Sequence, residues 1–158
     1  MSAAMIERRN GTYAKLVPSE STKQRIAQFV DLINLENPAS VHDLHVTIVY
    51  SRKACPEIEF HDTALPALAD GAAFDIFPNQ DGSKCLVLKL ASKQIHDLHE
   101  IIREQYGATH DFPSFQPHIT LSYDYTQVTT PESGLDYFKD LQFDQYVVEP
   151  LDLNWKSE

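Results

Sequence analysis

Two phrases in this chain match. Residues 45–50 read HVTIVY and residues 118–123 read HITLSY. Each closes a segment with the same order of patterns, and that repeated order constrains the fold more than any other feature. In the first half, GTYAKLVP (11–18) reads as a strand that stops at Pro18. Ile26, Phe29, Val30 and Ile33 then recur at i, i+3, i+4 and i+7, which predicts one helical stripe. Ser21 and Gln24 have capping-box spacing, and Pro38 lies beyond the helix end. DLHVTIVYSR (43–52) alternates like a strand. In the second half, AAFDIFPNQDGSKCLVLKLA (72–91) predicts a hairpin turning at Asp81-Gly82. Ser92 caps a helix with an Ile95, Leu98, Ile102 and Tyr106 stripe and Gly107 just past its end. PHITLSYDY (117–125) is again a strand. So strand–helix–strand occurs twice within a length typical of one domain, residues 1–158. The lobes run roughly over 11–52 and 72–125, and 126–158 completes the sheets. That last stretch predicts a short helix near 131–140 and a strand near 143–153, which Pro150 marks as an edge strand. Residues 53–71 read as an irregular loop or lid between the halves.

Successive side chains of a strand point to opposite faces. His45 and Thr47 therefore share one face, opposite Val46, Ile48 and Tyr50. His118, Thr120 and Ser122 share another, opposite Ile119, Leu121 and Tyr123. Residues i and i+2 lie about 6.7 Å apart, so an imidazole and a hydroxyl can both reach one phosphate. Two such strands side by side place two histidines and two threonines around one site. Cleaving a phosphodiester beside a ribose 2′-hydroxyl needs that set. One histidine accepts the proton of the attacking oxygen, and the other protonates the leaving oxygen. The ordinary pKa of imidazole, about 6.5, suits both roles. The threonine hydroxyls hold the phosphoryl oxygens as charge develops. The scheme requires no metal and no cofactor. A single His-x-Thr on a strand most often just faces solvent, so the weight rests on its repetition.

Charge narrows the partner. The chain carries 13 Lys and Arg against 23 Asp and Glu, a formal net charge of −10. Binders of long nucleic acid neutralise many phosphates with basic residues, so a small anion held by local groups is expected instead. No run approaches the roughly 18 apolar residues that span a bilayer, and the amino terminus lacks a signal-peptide core. These features predict a cytoplasmic protein with no membrane partner, and Cys55 and Cys85 read as reduced thiols. HDLH occurs at 42–45 and at 96–99. No ligand set is completed around either copy, so no metal is assigned, and His96 and His99 are expected on the exposed side of their helix. His61 and His110 lie in loops and carry no pattern. PNQDG (78–82) is a hairpin turn rather than a phosphate-cradling loop.

At HVT (45–47) and HIT (118–120) the chain resembles the two-histidine (2H) phosphoesterase superfamily. That resemblance implies an α+β fold of two pseudo-twofold-related lobes, each an antiparallel-rich sheet with an outer helix, facing a central groove. NGTYAKL (10–16), LHVTIVYSRK (44–53) and EPLDLNW (149–155) are similar to the phage anti-CBASS enzymes, which destroy cyclic oligonucleotide signals of bacterial anti-phage defence. The resemblance implies His45 and His118 as the acid–base pair and Thr47 and Thr120 as phosphate-binding hydroxyls. It implies Tyr13 stacked on a base and Glu149 and Trp155 contacting a base. From the residues alone, a packing role fits Tyr13 and Trp155 as well, and most glutamates are merely solvated. The implied substrate is a cyclic di- or trinucleotide, met in the cytoplasm of an infected bacterium. Two rivals use the same residues differently. One is an RNA-end 2′,3′-cyclic phosphodiesterase, for which the chain is unusually acidic. The other is a non-catalytic cyclic nucleotide sponge, which would not need both histidines. Nothing in the sequence sets the oligomeric state.

Overall fold

Pro18 closes the first strand, β1 (Thr12–Pro18), and Ser19 turns the chain into the first helix, α1 (Glu20–Leu32), in the computed structural model, which describes residues 11–110 and 114–151. The Ser19 N–H donates to the Gln142 carbonyl at 2.8 Å, and its hydroxyl accepts from the Thr22 N–H at 3.3 Å. That anchor starts the helix at Glu20, so the cap is Ser19 rather than the expected Ser21. A single 3₁₀ turn at Val41–Asp43 leads into β2 (Val46–Ser51). β3 (Ala67–Pro78) and β4 (Lys84–Ala91) form the expected hairpin. The second helix, α2 (Lys93–Tyr106), has the expected cap at both ends. Ser92 accepts from the Ile95 N–H, and Gly107 takes a left-handed conformation with φ 68°. β5 (His118–Ser122) and β6 (Leu141–Pro150) complete the chain.

The strands form a ring in the order β1-β2-β5-β4-β3-β6, antiparallel throughout. Its halves are β2-β1-β6 and β5-β4-β3. β6 gives the first half the third strand that β3 gives the second, as two pseudo-equivalent lobes require. The halves join at Val46↔Ile119 on one side and through Ala67–Ala69 against Leu141–Phe143 on the other. β6 is therefore not the edge strand that Pro150 suggested. It is bonded to β1 and to β3, and Pro150 is its last residue, where a missing N–H costs the ladder little.

Residues 53–71 are more ordered than a loop. They contain a 3₁₀ turn at Pro56–Phe60, and β3 already begins at Ala67. The stretch ALADG lacks β-branched and aromatic residues, so propensity hides the strand and pairing to β6 and β4 creates it. Gly71 has a packing reason. A Cβ there would lie 2.8 Å from the Phe138 Cβ and 3.1 Å from a Leu88 methyl carbon. Phe138 belongs to a 3₁₀ turn, Leu135–Phe138, where a longer helix was expected, and it is fully buried edge-on to Phe29 of α1 and Phe74 of β3. Gly71→Ala is expected to cost about 1–3 kcal/mol through overpacking. A urea titration reads this as a lower midpoint at unchanged slope, and an unchanged midpoint would show that Phe138 moves aside freely.

One apolar cluster takes Leu16, Val46, Ile48, Leu86, Leu88 and Ile119 from the strands and Ile26, Phe29, Ile95, Leu98 and Ile102 from the helices. Burying each such large side chain stabilises the fold by roughly 1.5–3 kcal/mol, so this face fixes how the strands are turned. Period-two alternation then puts Tyr13, Lys15, His45, Thr47, Lys89, His118 and Thr120 on the other face, and a register shift in β6 after Phe143 brings Glu149 there, opposite Tyr13. Cys55 and Cys85 are both buried thiols outside any disulfide.

Candidate active site

Both His-x-Thr strands carry a bulge at the matching place. Pairing of β1 with β2 jumps from Ala14↔Val49 to Lys15↔Thr47, which leaves Ile48 as the extra residue. Pairing of β4 with β5 jumps from Leu86↔Ser122 to Val87↔Thr120, which leaves Leu121. A bulged residue drops out of the ladder and frees its carbonyl. The Ile48 carbonyl accepts the His99 Nδ1–H at 2.6 Å, and the Leu121 carbonyl accepts the Ala39 N–H at 2.8 Å. Beyond each bulge the faces exchange, which corrects two assignments. Tyr50 lies opposite Tyr13 with the rings edge-on at 5.8 Å, so it joins the groove face. Ser122 lies opposite Leu86 on the core face, fully buried, its hydroxyl shared between the Glu36 and Asn37 carbonyls at 3.0 Å each.

The lobes meet at Val46↔Ile119, the middle residue of each motif. Because the pair is antiparallel, His45 falls on the Thr120 side and Thr47 on the His118 side. The fold thus brings the two motifs together, related by a pseudo-twofold axis near that contact. The two imidazoles are held in the same way. His45 Nδ1 lies 2.6 Å from the Asp43 carbonyl, and His118 Nδ1 lies 2.8 Å from the Gln116 carbonyl. A carbonyl only accepts, so each Nδ1 carries the proton and each Nε2 keeps its lone pair for chemistry. Burial, with Lys15 adding to it, holds His45 below its ordinary pKa of 6.5, against the Asp43 carbonyl bond. Burial, with His45 adding to it, does the same to His118 against its Gln116 carbonyl bond. The push of His45 on His118 is what proximity of two imidazoles produces.

Thr47 and Thr120 are both largely buried beside them, at 7% and 6% exposure. Tyr13 is itself buried. Its hydroxyl bonds the Thr47 hydroxyl at 2.8 Å, and its ring stands edge-on to His45 at 6.2 Å. Glu149, one strand further out, pairs with Lys15 at 3.3 Å. Trp155 lies outside the described residues. Phe77 of β3 stands edge-on to His118 at 5.0 Å, a neighbour the sequence reading did not name. Behind β2 lie two histidines, His99 and His110, to which the sequence assigned no role. His99 is buried rather than exposed, at 2%, and stacks flat on Phe115 at 3.9 Å. His110 Nδ1 accepts from the Tyr50 N–H at 3.2 Å. A signal for His99 was available, because it continues the apolar stripe of Ile95, Leu98 and Ile102. Among the described residues no group of three or more His, Cys, Asp and Glu side chains is placed to hold a metal ion, and no helix is long and apolar enough to cross a membrane. A cavity of about 470 Å³ behind α2, lined by Leu16, His61, Lys93 and Leu98, contains none of the motif residues.

This architecture recurs in solved structures. Escherichia coli LigT in its apo form superposes with a TM-score of 0.58 over 87% of this chain and 84% of LigT, at 16% identity. A crystal structure described as a phosphoesterase gives a TM-score of 0.58 over 87% and 85% at 15% identity. At these identities the likeness is one of fold, that of the 2H phosphoesterases. Sequence relatives are nearer. An anti-CBASS protein Acb1 of Vibrio phage KVP40 is 33% identical over 145 residues, 92% of this chain and 90% of the relative. The one of Enterobacteria phage T4 is 32% identical over 152 residues, 94% and 93%. Residues 10–158 match the family described as anti-CBASS protein Acb1, which takes in both histidine motifs, and the chain belongs to that family.

Proposed function

We propose that the chain is a phosphodiesterase that opens 3′–5′ linkages of cyclic di- and trinucleotide immune signals and so evades CBASS defence in the cytoplasm of an infected bacterium. The observation that carries this reading is the matched pair of imidazoles, each with Nδ1–H tied to a backbone carbonyl two residues back. Similarity to the anti-CBASS proteins supports a small cyclic oligonucleotide as the substrate.

In the first step one Nε2 takes the proton from the ribose 2′-hydroxyl as its oxygen attacks phosphorus. The other, protonated, gives its proton to the departing 5′-oxygen. The product is one linear chain with a 2′,3′-cyclic phosphate at one end and the released 5′-hydroxyl at the other. In the second step water adds with the roles exchanged, and the P–O2′ bond breaks to leave a 3′-phosphate. Thr47 and Thr120 donate to the non-bridging oxygens, where negative charge grows. Two histidines supply both proton transfers, so the scheme is metal-independent. Tyr13, Glu149 and Trp155 are assigned to the bases. Tyr13 also orients the Thr47 hydroxyl through its own, which ties base recognition to phosphate binding.

The pH dependence follows from the site. The free enzyme is productive with one imidazole neutral and the other protonated. Both are held below 6.5, chiefly by burial. Activity therefore rises as pH falls from neutrality, while the acid gains its proton, and drops again once the base is protonated. The kcat/KM profile is expected to be a bell with its maximum below about 6.5. A maximum above pH 8 would contradict the two-imidazole scheme. The function itself is tested by incubating the protein with cyclic dinucleotides and with an RNA ending in a 2′,3′-cyclic phosphate, then identifying products. Linear 3′-phosphate products from the cyclic dinucleotides support the reading. Turnover of the RNA end alone would reassign the enzyme to RNA processing, and binding without turnover would make it a sponge.

A further inference from the structure

Each lobe carries a lysine on the groove face, paired diagonally with an acid on the outermost strand. In the first, Lys15 lies opposite Val147 and reaches Glu149, two residues on, at 3.3 Å. In the second, Lys89 lies opposite Ala73 and reaches Asp75, again two residues on, at 3.6 Å. The device repeats but its position does not. Lys15 sits cross-strand from Thr47, whereas Lys89 sits cross-strand from His118. Val87 fills the place opposite Thr120. The two lobes are therefore alike at the histidines and threonines and unlike in where they put positive charge.

We propose that Lys89 binds the phosphate of the cyclic oligonucleotide that is not being cleaved, an inference that rests on the substrate reading above. A cyclic dinucleotide carries two phosphodiester charges in one small ring, so seating one between the His-x-Thr motifs brings the other into the same groove. The chain's net charge of −10 opposes that entry, and the second phosphate needs a local cation. β4 adjoins β5, so Lys89 stands one strand spacing, about 4.8 Å, from the His118 strand. Its side chain is one-third exposed, at 34%, and Asp75 at 3.6 Å lies beyond hydrogen-bond distance. Such an exposed ion pair stabilises the fold little and can be exchanged for a phosphate. Lys15 is held closer to its acid, and Glu149 is already assigned to a base. Placing the second phosphate on Lys89 would also give a pseudo-symmetric site one orientation for a ring that can enter two ways.

The test measures binding by titration calorimetry with a cyclic di-deoxyadenylate. It compares the ring with two charged linkages and a ring in which one linkage is an uncharged methylphosphonate. K89Q is expected to weaken the charged ring by about tenfold or more, the loss of a charge-assisted contact. K89R is expected to retain most of the affinity. The methylphosphonate ring should bind the wild type more weakly and lose nothing further in K89Q. D75N, which frees Lys89, is expected to widen the gap between the two rings. Equal affinity of wild type and K89Q for the charged ring overturns the assignment. So does an equal loss for both rings, which places the contact elsewhere, or an unchanged gap in D75N. If the wild type binds neither ring, the cyclic-oligonucleotide reading fails; if it binds and Lys89 has no effect, only this inference fails.

Discussion

His45→Ala and His118→Ala are each expected to lower turnover of a cyclic dinucleotide by about 10²–10⁴-fold, the usual contribution of a positioned acid or base. The double variant should be little worse than either single one. An acid and a base that act in one proton-coupled step are a unit, and removing one half disables the other. Neither change should unfold the chain. The two rings lie on the groove face, outside the apolar cluster. What each loses structurally is one hydrogen bond to a carbonyl, that of Asp43 or Gln116, at about 1 kcal/mol. Melting curves close to wild type, with ligand binding retained, would assign the lost rate to chemistry. Single-turnover kinetics at excess enzyme give the rates directly. If the two losses multiply in the double variant, the histidines act independently and the concerted scheme is wrong. If either single variant keeps the wild-type rate, that residue is not part of the proton relay.

The features legible in the sequence are those that follow from period. Alternation put His45 with Thr47 and His118 with Thr120, and the apolar cluster bears this out, since Val46, Ile48, Ile119 and Leu121 all belong to it. Helix caps at Ser92 and Gly107 were legible because a hydroxyl acceptor and a left-handed residue are local needs. What failed depended on partners far along the chain. The bulges at Ile48 and Leu121 have no local mark. Their freed carbonyls are taken by His99 and Ala39, each distant in sequence, so strict alternation misplaced Tyr50 and Ser122. The start of β3 at Ala67 was hidden because small residues make a strand only when β6 is beside them. His99 was misread as exposed because histidine was taken for a surface residue. Its Nδ1–H has a buried acceptor and its ring a flat aromatic neighbour, and those two contacts decide where it sits. Charge pairing across strands, as in Lys15 with Glu149 and Lys89 with Asp75, needs the register and so came only with the fold.

A cyclic di-deoxynucleotide with the same bases is expected to bind the enzyme and resist cleavage altogether. The site offers two imidazoles and two threonine hydroxyls around the phosphate. In the scheme above neither threonine is activated for attack, because no base is assigned to it and the Thr47 hydroxyl is already engaged with Tyr13. The attacking oxygen must then belong to the substrate, and the 2′-hydroxyl beside the scissile phosphate is in reach. Attack from within the same nucleotide gains the effective molarity of an intramolecular reaction, about 10⁵–10⁸ M when well oriented. Deleting that oxygen removes the nucleophile without touching the phosphates or bases, so affinity should be kept while the rate falls to background. A 2′-O-methyl group on one sugar of a 3′–3′ ring should protect only the linkage next to it. In a ring with two different bases, the surviving linkage would show which sugar reacts first, and so which base occupies the Tyr13 side. Chromatography of the deoxy ring after long incubation with excess enzyme decides the matter. Cleavage at a rate near that of the ribose ring would mean direct attack by water on the diester. The two histidines would then serve a hydrolysis with no cyclic phosphate, and the 2′-hydroxyl would be no more than a binding contact.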